Sequence, residues 1–498
     1  MNKLDYLDLL RLAAPETIIV VTALAVLAAD LLAMRDLELR FRLRIGAMIS
    51  CVGCVGASGW MIALPQHANF MQGMLVVDPL TQLVKVALLG LAIFTILLSL
   101  DSDFTKHVGE YFALILLAAL GMMFLVSSED ILMIFIALEL TSLSLYILTA
   151  FNKRNVKSAE AALKYFLFGG MAAAFTLFGL SLLYGLSGST NLGEIAVGLK
   201  GKGLDPLLAV AIVMTVIGFG FKIAAVPFHL WAPDAYQGAP VPSAAFIASG
   251  SKVASFFIFA KVMMIGFAGA EGSGAWRAAA SGWVPVLAIV AAASMVLGNL
   301  VAIVQSSVRR LLAYSAIAHT GYMLLAVMSH NGPNIGALIY YSITYGLSTL
   351  GAFGVVQVVQ RQTGGESLPD FAGLCRRAPA LSLCMMVFML SLAGIPPLAG
   401  FFGKFYVFAA ALNTDPKNLG LLWLVIVAIG MSAVSLYYYL QVLKQIYLAD
   451  GPAGPEQGPA LIPTQVVLGV VALAIIVLGC APDLLVGRIS LALKSVGF

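Results

Sequence analysis

Apolar stretches of about 20 residues recur from one end of this 498-residue chain to the other. Each is long enough to cross a hydrocarbon core roughly 30 Å thick as a helix. We count fourteen spans, at approximately residues 16–35, 44–64, 78–100, 110–127, 130–151, 160–186, 206–229, 242–267, 283–304, 309–328, 333–360, 380–412, 419–446 and 463–483. The predicted fold class is therefore an all-α polytopic membrane protein.

The composition agrees with this interpretation. Charged residues make up only 10% of the chain and hydrophobic residues 61%, with a mean hydropathy of +0.99. An ordinary soluble domain is about 25% charged. No segment has the charged start, short apolar core and small-residue cleavage site of a removable signal peptide, so the first span is expected to stay as a permanent helix.

Lysine and arginine are concentrated in alternate loops. One set of loops and span ends carries Arg35, Arg40, Arg42, Arg44, Lys106, Lys153, Arg154, Lys157, Arg309, Arg310, Arg361, Arg376, Arg377 and Lys444, and the other carries Lys200, Lys202, Arg277 and Lys417. The positive-inside rule places the first set in the cytoplasm, so both termini are expected on the outer side. The net charge of +4 follows from this bias, and no basic run interleaved with aromatic residues indicates nucleic-acid binding.

The sequence shows no pattern typical of a bound cofactor. Cys51 and Cys54 lie within the second span, with neither a second cysteine pair nor a histidine nearby, so apolar packing is the favoured interpretation. We find no glycine-rich nucleotide loop, no cysteine cluster for an iron-sulfur centre and no paired membrane histidines spaced for haem. The chain is predicted to move an ion without redox chemistry of its own.

An internal repeat is indicated by a shift of 175 residues. The shift aligns ALKYFLFGGMAAAFTLFG (162–179) with ALIYYSITYGLSTLGAFG (337–354), with five identities in eighteen positions. It also carries the fourth to eighth spans onto the ninth to thirteenth. Five is an odd number, so the two copies must have opposite topology, an architecture found in secondary transporters. The predicted domains are 1–105, which holds three spans, the two repeats 106–267 and 283–446, and 447–498 with the fourteenth span.

The seventh and twelfth spans each combine proline with lysine. In GFGFKIAAVPFHLWAPD, Lys222 is followed by Pro227 and His229, and in SLAGIPPLAGFFGKFYVF, Pro396 and Pro397 precede Lys404. A proline frees a backbone carbonyl, which is tolerated in a membrane only where protein or water satisfies it. Because a lysine accompanies the break in both repeats, we predict discontinuous helices at a functional site, in preference to simple packing kinks.

Four ionisable side chains lie deep within predicted spans. Glu139 is central in the fifth span, Lys222 lies toward the inner side of the seventh, Lys252 is near the middle of the eighth, and Lys404 is in the outer third of the twelfth. Each charge at the bilayer centre costs roughly 2.5 to 3.5 kcal/mol on insertion scales, so the four together cost on the order of 10 kcal/mol. Desolvation disfavours an ammonium and a nearby carboxylate favours it, so a lysine under both influences can gain and lose a proton at physiological pH. These residues are candidates for a proton relay.

Five further residues remain open. Lys164 lies about one turn into the sixth span, where snorkelling to the surface competes with a relay role, and Lys261 is expected to snorkel outward. Lys85 is left unassigned. His319 in the tenth span is a relay candidate, with hydrogen-bonded packing as the alternative. His229 at the inner end of the seventh span is a relay candidate that would mark a water entrance.

Several stretches resemble the antiporter-like membrane subunits of respiratory complex I, the NADH-quinone oxidoreductase. They are ALEL around Glu139, KYFLFGGMAAAFTLFGLSLLYGLSGS (164–189), GFKIAAVPFHLWAPDAYQGAP (220–240) and LSLAGIPPLAGFFGKF (390–405). The resemblance covers most of the chain. In having a lysine at position 404 and no long C-terminal extension, this sequence most resembles the subunit N group.

The resemblance implies roles for the deep residues. Glu139 and Lys222 would form the key pair, Lys252 would link two half-channels across the centre, and Lys404 would end the path. The chain would lie in the bacterial inner membrane with both termini periplasmic, beside the antiporter-like subunit M, the small subunit K and lipids. It would bind no cofactor itself, since NADH, flavin, iron-sulfur clusters and quinone would belong to partner subunits.

Other functions share these motifs. The seventh-span motif also occurs in Mrp-type cation/proton antiporters and in membrane-bound hydrogenases, which are the alternative assemblies. A scaffold with a vestigial channel is a third hypothesis. The retained glutamate and three deep lysines argue against that scaffold, because unused charges would readily be replaced by apolar residues.

Overall fold

The computed structural model describes residues 10–63, 67–201, 203–329, 332–450 and 462–496. Within them, twelve helices are long and apolar enough to cross a membrane: Ala14–Ala33, Leu39–Ala63, Pro79–Ser99, Val108–Ser127, Ile131–Thr149, Val156–Ser187, Val241–Gly266, Trp283–Ile303, Val308–Met328, Asn334–Thr363, Leu422–Leu448 and Ile462–Cys480. Two further spans are broken, the seventh into Pro206–Lys222 and Trp231–Gly238 and the twelfth into Pro379–Ala393 and Ala399–Leu412. Twelve unbroken and two broken spans give the fourteen predicted, and the all-α fold class is confirmed.

Side-chain caps explain where several spans begin. The carboxylate of Asp78 accepts a hydrogen bond from the Thr81 backbone N–H at 2.8 Å, and Asp130 and Asn155 cap the fifth and sixth spans in the same way. Ser307 caps the tenth. Such caps satisfy backbone N–H groups that lack partners in the first helical turn.

The two sets of five spans share details of construction. The sixth and eleventh spans, Val156–Ser187 and Gly332–Thr363, each contain 32 residues. An isolated antiparallel bridge joins Asp130 to Asn191 in the first set, and a second joins Ser307 to Ser367 in the other. In both sets the bridge ties the start of one span to the segment that follows the next. The fold therefore contains two inverted five-helix repeats, although their outer boundaries remain a prediction.

The centre of the molecule is formed by the eighth, tenth and eleventh spans. Their most apolar windows are 100%, 94% and 94% buried, compared with 33% for the first span. The eighth span also widens into a π-helical turn at Ile247–Ser251, directly before Lys252. Such turns are rare and often occur at functional sites.

Several small elements differ from the sequence prediction. The region after the fourteenth span contains a second helix, Asp483–Val496, which packs against the third and eleventh spans. A short helix, Leu192–Leu199, follows the sixth span. Two hairpins pair β1 (Ala68–Phe70) with β2 (Leu75–Val77) and β3 (Ser273–Ala275) with β4 (Ala278–Ala280). Strands of three residues are too short for alternation to be recognisable in a sequence.

Candidate functional site

The break in the seventh span exposes backbone carbonyls that accept hydrogen bonds from side chains. The helix ends at Lys222, and the carbonyl of Ile223 accepts a hydrogen bond from the Thr320 hydroxyl at 2.6 Å. The carbonyl of Phe221 accepts one from the Trp231 indole N–H at 2.9 Å. A polar side chain of the second repeat therefore holds the broken helix of the first.

The two breaks share a backbone conformation. Cis peptide bonds precede Pro227 and Pro397, and a residue with positive φ follows each helix end, Ala224 at 56° and Gly394 at 87°. A Cβ atom added at Gly394 would lie 3.0 Å from Cδ of Lys404. Glycine therefore permits both the left-handed conformation and the close approach of that lysine.

Lys222 is bound by a hydroxyl group. Its ammonium donates a hydrogen bond to Oγ of Ser142 and lies 5.8 Å from the centre of the Tyr146 ring. Ser142 is one helical turn beyond Glu139, on the same side of the fifth span. In the part of the chain that the structure describes, no direct ion pair joins Glu139 to Lys222; the Ser142 hydroxyl accepts the hydrogen bond of Lys222, and the pairing of Glu139 with Lys222 stays a prediction.

A small void separates Lys222 from the eighth span. It has a volume of about 10 Å³, and Ser142, Ser251 and Ser255 contribute to its wall. That volume is close to the minimum needed for one water molecule, and the wall offers hydroxyl partners. A water here would connect Lys222 toward the helix that carries Lys252.

Lys252 is buried at the centre of the molecule. Its ammonium donates to the carbonyl of Ala316 at 2.5 Å and to Oγ1 of Thr320 at 2.8 Å. It also lies 5.5 Å from the centre of the Tyr345 ring. Because Thr320 in turn donates to Ile223, Lys252 is connected directly to the break of the seventh span.

His319 is next to Thr320 in the tenth span and has hydroxyl partners on both ring nitrogens. The Tyr341 hydroxyl lies 2.7 Å from Nδ1, and the Tyr439 hydroxyl lies 3.1 Å from Nε2. Tyr439 continues to Oγ of Ser315 at 2.5 Å. This arrangement is a continuous chain of exchangeable protons contributed by three spans.

Lys404 has the same type of environment at the second break. Its ammonium donates to the carbonyl of Ala393 at 2.9 Å and to Oγ of Ser432 at 2.8 Å. It lies 5.1 Å from the centre of the Tyr322 ring, and the centres of the Tyr322 and His319 rings lie 5.6 Å apart in a T-shaped arrangement. Tyr322 thus lies between the histidine and the last lysine.

The remaining histidine candidate lies within the seventh-span break. His229 is only 6% exposed, and its Nδ1 is buried without a hydrogen-bond partner among the described residues. A buried polar atom of this kind is usually satisfied by water. The position is compatible with the predicted water entrance.

Lys164 belongs to a different cluster. Its side chain is 41% exposed and pairs with Glu160 at 2.7 Å and with Asp234 at 2.9 Å. The other oxygen of Asp234 pairs with Arg310 at 2.8 Å. The structure therefore does not place Lys164 with the deep lysines. Lys164 instead helps to hold the second half of the seventh span, Trp231–Gly238, between the two repeats.

Two buried lysines have carboxylate partners. Lys85 pairs with Glu16 at 2.6 Å, with each side chain only 2% exposed. Lys261 pairs with Glu129 at 2.9 Å and is 11% exposed. Glu129 lies 132 positions earlier, between the fourth and fifth spans, and the outward direction of Lys261 stays a prediction.

Comparison with known proteins identifies the family. The family described as NADH:quinone oxidoreductase/Mrp antiporter, TM matches residues 128–432. NADH-quinone oxidoreductase subunit N 2 of Acidobacterium capsulatum is 53% identical over 97% of this chain and 99% of its own length. This chain belongs to the subunit N family.

Solved structures of the same fold support that assignment. A chain of respiratory complex I from Thermus thermophilus with bound aureothin is 33% identical, with a TM-score of 0.78 over 95% of this chain and 98% of that one. A chain of the Mrp complex from Dietzia sp. has a TM-score of 0.80 over 97% of each chain. At 19% identity, that second likeness shows the fold alone.

The sequence analysis of this subunit N family member missed the groups that surround its lysines. Ser142, Thr320 and Tyr439 bond directly to predicted relay residues, yet polar residues of these types are common in membrane helices. A usable signal was present in IYYSITYG (339–346), where Tyr341 and Tyr345 are spaced four residues apart on one face of a predicted membrane span.

Proposed function

We propose that this chain carries protons along a relay row made of Lys222, Lys252, His319 and Lys404, with Glu139 and Ser142 at its first end. The row crosses from the break in the seventh span to the break in the twelfth. The chain would contribute no redox step of its own. Quinone reduction in partner subunits, which would hold NADH, flavin, iron-sulfur clusters and quinone, would drive the transfer.

One observation carries this proposal: the three lysines of the row have only uncharged acceptors. Lys252 and Lys404 each donate to one carbonyl and one hydroxyl, and Lys222 donates to one hydroxyl. A neutral amine keeps two N–H groups, which suffice for every one of these bonds, while the ammonium has three. Each lysine can therefore lose a proton without leaving an acceptor unsatisfied.

The paired lysines provide the contrast. Removing the proton from Lys85 would leave the carboxylate of Glu16 buried and uncompensated, which is strongly unfavourable. Lys261 and Glu129 are held in the same way. These two pairs are suited to a fixed charge, and they are not part of the proposed row.

His319 suits the middle of the row because its two nitrogens face different hydroxyls. A proton received at one nitrogen can leave from the other, and the ring returns to a neutral tautomer. The charges of Lys252 and Lys404 both act on this ring. His229 and Lys164 would have supporting roles, the first at a water entrance and the second in holding the seventh span.

The proposed setting is the bacterial inner membrane, with both termini periplasmic. Glu139 is only partly buried in this chain, so a neighbouring subunit can cover it. The expected neighbours are the antiporter-like subunit M and the small subunit K of the same complex, together with membrane lipids.

The test is substitution of the central lysine in the assembled complex. Lys252→Met keeps a long side chain and removes the proton site, so we expect assembly and a loss of coupled proton uptake of about a hundredfold in this channel. Uptake by inverted vesicles during NADH oxidation, normalised to complex content, measures it. The matched control is Lys153→Met, which alters an exposed lysine in the loop between the fifth and sixth spans.

Wild-type uptake by an assembled Lys252→Met complex would contradict the relay. Uptake that required sodium or potassium on the opposite side would instead assign the chain to cation/proton exchange.

A further inference from the structure

A cavity of about 570 Å³ opens on the arginine-rich face, which is formed by the loops after spans 1, 3, 5 and 7. The residues that line it do not include those of the relay row. Its walls come from the loops and span ends between spans 1 and 2, 3 and 4, 5 and 6, and 7 and 8, and from the tenth, eleventh and fourteenth spans. This volume lies within the range of small-ligand sites. We propose that it binds the phosphodiester headgroup of an anionic membrane phospholipid.

The charge of the walls is the first argument. Four arginines line the cavity, against the two carboxylates Asp101 and Asp103. Arg361 pairs with Asp101, and Arg309 is held by Glu366 and by backbone carbonyls. The other two, Arg40 and Arg44, are exposed, and among the described residues no carboxylate pairs with either. They leave an excess of positive charge for an anion.

Helix ends add to this potential. The spans that start at Leu39, Val241 and Ile462 begin on this face, and Leu39, Val241 and Pro463 line the cavity. The structure shows no side-chain cap at the start of the span at Val241. Helix N-termini carry partial positive charge and favour anions.

The second span indicates why the anion belongs to a lipid. Arg44 shares one helical face with Phe41, Met48, Val52 and Val55, which are 52%, 62%, 66% and 60% exposed. An apolar stripe of this kind, starting beside the arginine and running into the membrane, fits acyl chains below a bound headgroup. A soluble phosphate would use only the cavity, whereas a phospholipid uses the cavity and the stripe. Basic pockets between membrane helices are known binding sites for acidic headgroups.

The experiment is photocrosslinking on the purified complex. Phosphatidylglycerol with a photoactivatable headgroup is added to delipidated complex, and crosslinked peptides are mapped by mass spectrometry. We expect adducts in segments 39–44 and 100–104. Arg40→Gln combined with Arg44→Gln should weaken their formation about 30-fold. Arg35→Gln, which removes an arginine near this face that does not line the cavity, should leave the yield unchanged.

Competitors distinguish the sources of the anion. Unlabelled phosphatidylglycerol should abolish the adducts, while phosphatidylcholine and inorganic phosphate at equal concentration should not. The charge-preserving change of Arg40 and Arg44 to lysine should restore most of the yield, which separates loss of charge from misfolding. Equal competition by phosphatidylcholine, equal competition by inorganic phosphate, or full yield in the Arg40→Gln/Arg44→Gln complex would overturn the proposal.

Discussion

The ammonium groups of Lys222, Lys252 and Lys404 all lie beside oxygens that carry no charge. A charge buried without a counter-ion is costly, and at a membrane centre such a residue is usually functional. At Lys85 the same fold places a carboxylate 2.6 Å from the buried ammonium, which stabilises the charged form. The absence of such a partner in the described surroundings of the other three therefore has a functional meaning.

Ser142→Ala tests the first link of the row. The substitution removes the acceptor of Lys222, and a hydrogen bond to a charged group contributes about 1.5 to 3 kcal/mol, so proton uptake per complex should fall about tenfold. Ser144→Ala is the control, because Ser144 lies in the same span and bonds only the carbonyl of Leu140 at 2.9 Å. Equal uptake in both variants would remove Ser142 from the path.

Lys404→Arg separates a fixed charge from a titrating one. Arginine can donate to the acceptors at Ala393 and Ser432, but its guanidinium stays protonated at any accessible pH. The complex should assemble and pump as poorly as with Lys404→Ala. Lys417→Arg, in an exposed loop, should pump normally. Normal pumping by Lys404→Arg would leave only a static positive charge at this position.

At the scale of elements, the broken spans are connected to their surroundings by specific contacts. The second half of the seventh span is held through Asp234 by Lys164 and Arg310 together. The first half is held through Thr320. Each half thus contacts the second repeat. A movement of one repeat would therefore displace residues of the other.

The two residues with positive φ at the span breaks, Gly394 and Ala224, predict different responses to substitution. Gly394→Ala adds a methyl group in a left-handed conformation, 3.0 Å from Lys404, and should lower thermal stability by about 1 to 2 kcal/mol. Ala224→Gly relieves the same conformation but increases the entropy of the unfolded chain, so its effect should stay within about 1 kcal/mol. Thermal unfolding of the purified complexes in detergent compares them. Equal destabilisation would show that neither break is under backbone constraint.

Lys164→Ala should be much less harmful than Lys222→Ala. Lys164 is partly exposed, and Arg310 still holds Asp234 when it is gone, so the loss corresponds to a surface ion pair of about 0.2 to 1 kcal/mol. Lys222 has no substitute in the row. Initial rates of proton uptake in matched membranes should differ at least several-fold, and the same loss in both would place Lys164 on the path.

At the scale of the whole molecule, the arginine-rich loops form one face. Residues from the loops after spans 1, 3, 5 and 7 meet around a single cavity, as alternation of the spans requires. The β3–β4 hairpin belongs to the loop after the eighth span, on the opposite face.

Accessibility to a membrane-impermeant maleimide tests the orientation of these faces. In a background without native cysteines, Asn152→Cys should react in inverted vesicles and Trp276→Cys only in right-side-out ones. Trp276 is 62% exposed, so lack of reagent access would not explain a negative result. The reverse pattern would place both termini in the cytoplasm.

Much of this architecture follows from the sequence because few backbone structures can cross a bilayer. Span length and depth of charge singled out Lys222, Lys252 and Lys404 from the sequence, and their relay role stays a prediction. The partners of Lys85 and Lys261 were not predictable, since they lie 69 and 132 positions away and no local pattern indicates such pairs. Hydroxyl partners such as Thr320 are equally hidden, because only the packing of spans selects one hydroxyl among many.

The positive charges of the row repel one another across a medium that screens them poorly. Simultaneous protonation of neighbouring positions is therefore disfavoured. Arrival of a proton at one end would therefore favour release of the proton from the neighbouring position. In the proposed relay, each proton that enters would therefore displace one toward the other end, and the end that releases its proton first would set the direction.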